Sequence, residues 1–161
     1  MTAEVNKPNL PDIVADDEII VRALKTPSHY DFKKNRLKPA AFRAPPEQTV
    51  ISVARSVVGV TECKTNINRA AEYVGFGAIY AGSIRHCGSA IVDAPADYYG
   101  HAHIEHPDPA PKRDEPQESE ANLRYITRLR NLIELTHTHL DQNKDEIEWG
   151  GPDPLTAPPT P

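Results

Sequence analysis

Residues 115–142 read EPQESEANLRYITRLRNLIELTHTHLDQ, and their periodicity decides the fold class. Leu123, Ile126, Leu129, Ile133 and Leu140 recur at helical spacing, with Tyr125 and Leu132 beside them. One face is thus apolar and the rest polar or charged. Asp114 stands three residues before Gln117 and resembles a capping box with Asp in place of Ser or Thr. Glu115, Glu118 and Glu120 suit the positive end of a helix dipole. The spacing predicts a helix from Glu115 to Gln142, about 42 Å long at the α-helical rise. That exceeds the diameter of a domain of this size. Part of the apolar edge is therefore expected to meet a protein partner or a second copy of the chain.

Upstream of that helix the periods are those of strands. Ile19–Leu24 is a β-prone run. In Thr49–Val58, Ile51, Val53 and Val57 alternate with Ser52, Ala54 and Ser56. Ser83–Asp93 reads as a further strand, closed by Ala94-Pro95, and Tyr99–Glu105 alternates again. Between them Ile67, Ala70, Ala71 and Val74 make one helical stripe, capped by Thr65 or Asn66 and ended at Gly75. Strands followed by a helix, without regular alternation, predict an α+β fold: a small antiparallel β-sheet with one short helix, one long C-terminal amphipathic helix and disordered termini.

Prolines and charges set the expected boundaries. Residues 1–18 form an acidic tail with few apolar side chains to offset ordering entropy. A mixed α/β core spans 19–106. The alternate prolines of 107–114 read as a linker. The helical segment occupies 115–146, packing on the core or a partner, and 147–161 form a Pro-rich tail.

Composition excludes several classes. No apolar run approaches the roughly 18 residues that cross a bilayer, and the first residues, MTAEVNKPNLPDIVADDE, lack the pattern of a secretory signal. Cys63 and Cys87 make neither a disulfide framework nor a CxxC pair. These features together lead to an expected cytoplasmic location, with no membrane partner.

The formal charge of −5 conceals a division. Residues 19–104 hold eleven Lys and Arg against six Asp and Glu, whereas the flanks hold seven against seventeen. Seven of those cations lie between residues 22 and 43 with Asp31 as the one acid. Arg22, Lys34, Arg36 and Arg43, near Tyr30 and Phe32, are the candidate ligand-binding residues, for a phosphate-bearing ligand held by charge and stacking.

His101 and His103 are the candidate catalytic residues. On a strand, i and i+2 share a face about 7 Å apart, where two imidazoles could flank a phosphate or share a metal. Glu105 continues that face, and His86 joins if its segment pairs alongside. No third ligand has a defining spacing, so no metal ligand is assigned and no cofactor is named. Cys87 reads as an inert thiol, and His137 and His139 as structural. The function expected is that of a small interaction or regulatory protein that binds a partner, or itself, through the C-terminal helix. The alternative is an enzyme acting on a nucleotide or nucleic-acid phosphate through His101 and His103, with His86, and the basic loop of residues 22–43.

Overall fold

The computed structural model describes residues 7–66, 72–143 and 149. Among the described residues there are eight strands: β1 (Ile19–Lys25), β2 (Tyr30–Asp31), β3 (Arg36–Leu37), β4 (Val50–Arg55), β5 (Tyr73–Tyr80), β6 (Ala90–Asp93), β7 (His101–Glu105) and β8 (His137–Leu140). Three α-helices among the described residues join them: α1 (Val60–Asn66), α2 (Ala81–His86) and α3 (Glu120–Glu134). The main sheet has the order β6-β7-β4-β1-β5-β8, and every neighbouring pair is antiparallel. β2 and β3 form a separate hairpin. The architecture is α+β, as the patterns predict.

Both faces of the sheet are covered, which explains the near-continuous apolar runs of β1 and β5. Ile20 and Leu24 of β1 face one core, shared with Ile79, Ile104, Tyr125, Leu129 and Leu132. Ile19 and Val21 face a second core with Cys63, Phe76 and Ala78. Burying each large side chain of α3 contributes about 1.5–3 kcal/mol, and this outweighs the modest helical propensity of so short a segment.

α3 is shorter than its pattern suggests. Ser119, not Asp114, caps it: Ser119 Oγ accepts from the Asn122 N–H at 3.1 Å. The fully buried stripe is Tyr125, Leu129 and Leu132, while Leu123 stays 56% exposed. The helix therefore spends its apolar edge on its own sheet. After Leu135 the chain turns, and His137–Leu140 pairs with Gly75–Ala78 as an edge strand. The open edge of β5 offers hydrogen bonds that a continued helix would leave unmade.

Other segments differ from the sequence reading for similar reasons. Ser83–Asp93 divides into the end of α2, a Gly88 turn and the short β6. The helical stripe expected at Ile67, Ala70 and Ala71 lies outside the described residues, and Val74 belongs to β5. Residues 7–18 pack on the domain: Val14 is 1% exposed, the Pro11 carbonyl accepts from Arg55, and Asp16 pairs with Arg85 at 2.5 Å. In 107–114, Ala110 is buried and bridges to Pro46. The C-terminal tail lies outside the described residues except Trp149, whose ring stacks on Phe76.

One irregularity positions the candidate site. β1 and β4 pair only at Ile20–Arg55 and Val21–Ala54. Beyond that point the strands part, and Arg22 reaches into the gap. Its Nε donates to the Ala41 carbonyl at 3.0 Å and its Nη1 to the Ser52 carbonyl at 2.9 Å.

Candidate functional site

Ala102 and Ile104 of β7 enter the core beneath α3, so His101 and His103 project from the opposite face. Their rings meet edge to face with centroids 4.7 Å apart. Tyr98 packs on His101 from the other side at 4.6 Å. His101 is buried and its Nδ1 lies 2.9 Å from the Ala94 carbonyl and 3.3 Å from Asp97 Oδ2. Both neighbours can only accept, so Nδ1 carries the proton and donates. Nε2 is then the ring nitrogen left to carry a lone pair. Asp97, on the loop before β7, brings a carboxylate to the same place: one donor atom from each of Asp97, His101 and His103 lies within 4.8 Å of the others.

Beside this cluster is a cleft of about 200 Å³ lined by Arg22, His29, Ser52, Ala54, Asn66 and Tyr98 among others. Ser52 and Ala54 are the cross-strand neighbours of His103 and His101. Burial lowers the Arg22 pKa, against the opposing influence of Tyr98. Burial, then Arg22 and Lys25, push the His29 imidazole down to about 4. Its Nδ1 accepts from the Lys25 N–H at 3.2 Å, which requires an unprotonated nitrogen.

The other candidates lie apart. His86 ends α2, whose Ile84 is embedded in the core beneath α3, so it is across the sheet from His101 and His103. Lys34 and Arg36 are exposed on the β2–β3 hairpin. Arg43 lies over the Tyr125 ring at 5.5 Å. Arg22 and Arg43 share the wall of a shallow depression, but the three histidines and four basic residues do not line one cleft. Cys87 is a half-buried thiol whose pKa burial raises, in keeping with an inert role.

A third feature was hidden in the sequence. Along the outer side of α3 runs a groove of about 520 Å³, lined by Arg43, Lys112, Arg113 and Arg130 with Glu115 as the one acid. Leu123 and Ile126 contribute its apolar part, and Gln117, Asn122 and Thr127 its neutral polar part. Among the described residues Arg113 and Arg130 have no carboxylate within ion-pair distance, whereas Arg124 and Arg128 are both paired with Asp108. Lys112 and Arg113 fall in the stretch that reads as a linker, and only the docking of Ala110 beside Pro46 brings them towards Arg43.

No protein-family model, curated protein or solved structure matches this chain. Among the described residues no helix is long and apolar enough to cross a membrane.

Proposed function

We propose that this is an interaction protein that docks an acidic segment of a partner protein in the groove along α3. The observation that carries the reading is the charge of that groove: four cations against one carboxylate, around an exposed Leu123. An acidic peptide with a leucine-like anchor complements both parts, the charges giving orientation and encounter rate and the anchor giving burial. A single nucleic-acid strand is less suited, because no aromatic ring lines the groove for bases to stack upon. The buried face of α3 contributes indirectly, since Tyr125, Leu129 and Leu132 fix the helix while Tyr125 also supports Arg43.

The test is fluorescence polarisation with a labelled peptide of alternating Glu and Leu at helical spacing, against its Lys counterpart and a labelled oligonucleotide. The acidic peptide is expected to bind, and to weaken as salt rises, because exposed charges are screened over about 8–10 Å. Arg113→Glu with Arg130→Glu is expected to weaken it by up to about 30-fold, as two exposed ion pairs of up to about 1 kcal/mol each imply. Preference for the oligonucleotide, or equal peptide binding by the double variant, overturns the reading.

A further inference from the structure

The geometry points to a divalent-metal site of the zinc type formed by Asp97, His101 and His103, independent of the α3 groove. The donor set comes first. Two imidazoles and one carboxylate suit borderline transition ions such as Zn²⁺, whereas Ca²⁺ and Mg²⁺ prefer all-oxygen shells. The strand period supplies the two histidines on one face, and the loop that enters β7 supplies the aspartate.

The separations fit with a small adjustment. Ligands around a tetrahedral ion with bonds of about 2.0–2.1 Å stand about 3.4 Å from one another. One donor atom of each residue already lies within 4.8 Å of the others, and with Nδ1 held at the Ala94 carbonyl, Nε2 is the nitrogen His101 has for the ion. Closure therefore requires the Asp97 carboxylate to swing from the Nδ1 side of His101 by roughly 1.5 Å or more, and its side chain, 67% exposed on a loop, has room for it. Ligation trades its 3.3 Å contact with His101 Nδ1 for the ion.

The surroundings of His101 add a second observation. Ligating histidines commonly donate their other ring N–H to a carbonyl or carboxylate, which fixes the tautomer and the ring plane. His101 does this at Ala94, and the Tyr98 and His103 rings hold it from two sides. Three protein ligands leave a fourth position for water, the pattern of a reactive centre rather than a closed structural one. The cleft with Arg22, Ser52 and Asn66 adjoins it.

The experiment uses the full chain, stripped with a chelator and titrated with Zn²⁺ in competition with a chromophoric chelator. One ion per chain is expected. Co²⁺ in its place is expected to give the visible bands of a tetrahedral nitrogen and oxygen site, without the thiolate charge-transfer band that Cys63 or Cys87 would add. His103→Ala is expected to weaken Zn²⁺ at least about 100-fold and Asp97→Asn at least about tenfold, while a variant lacking both His137 and His139 binds as wild type. Circular dichroism and melting check each fold, and Asp97→Asn alters only an exposed group. Absence of stoichiometric binding, undiminished binding by His103→Ala or Asp97→Asn, or loss with the β8 histidines overturns the site.

Discussion

Arg55 and Glu18 meet fork to fork inside the protein, Nε to Oε1 at 2.9 Å and Nη2 to Oε2 at 3.0 Å, with side chains 1% and 5% exposed. Asp93 Oδ1 accepts from Nη1 at 3.0 Å and the Pro11 carbonyl from the same nitrogen at 2.7 Å. One guanidinium on β4 thus ties together the N-terminal arm, the entry to β1 at Glu18, and β6. Burial opposes its charge, but the Glu18 and Asp93 carboxylates prevail and hold its pKa above the ordinary arginine value.

Removing one partner of a buried pair leaves the other charge desolvated. Glu18→Gln is therefore expected to cost about 3 kcal/mol in urea unfolding. The exposed neighbour Asp17→Asn should change stability by less than about 0.5 kcal/mol. Equal, small effects from both would mean the pair is open to water.

The arm itself contributes to stability. Deleting residues 1–16 removes Val14 from the core, about 2 kcal/mol of burial, and takes the Val14 carbonyl and the Asp16 carboxylate from Arg85. Melting is expected to fall by about 4–8 °C for a chain of this size. An unchanged melting temperature would show that the arm is not docked.

Gly75 is a packing requirement. A Cβ there would stand 2.1 Å from the His139 carbonyl oxygen, where β5 and β8 run side by side. Gly75→Ala is expected to free β8, seen as rapid amide exchange at residues 137–140. Gly59 (φ +89°) has nothing within 4 Å of its Cβ position. Gly59→Ala should cost only the backbone strain, about 1–2 kcal/mol, and leave those amides protected.

Stability should fall as pH drops from about 7 to 4.5. Burial lowers the His106 pKa, and burial with Arg22 and Lys25 brings His29 to about 4. The unfolded chain takes protons at these residues near pH 6.5, before the folded chain does, so protonation favours unfolding in that window. His106 Nε2 donates to the Phe42 carbonyl at 2.8 Å, and in the neutral ring Nδ1 accepts from the Ser89 hydroxyl at 2.7 Å. His29→Gln is expected to flatten the pH dependence of the urea midpoint. A variant with the wild-type slope would remove His29 from this account.

The candidate site was half legible. The H-x-H alternation of His101 and His103 marks one face of a strand, because side-chain period is local. Asp97 carried no such mark, since its approach depends on how the loop from Ala94 folds back. The groove cations are scattered across residues 43, 112, 113 and 130, a set with no sequence period.

Local sequence pattern alone determined strands within Ile19–Leu24, Thr49–Val58 and Tyr99–Glu105, the existence of an amphipathic helix, and hence a mixed fold. Tertiary structure decided where that helix ends, that the glycine-bearing segment Tyr73–Tyr80 is an inner strand, and that residues 7–18 dock. Periodicity reports which side chains share a face. It does not report which backbone lies alongside, and it is the close approach of β8 at Gly75, the open edge of β5 and the buried charge of Arg55, answered by Glu18, Asp93 and the Pro11 carbonyl, that fix these choices.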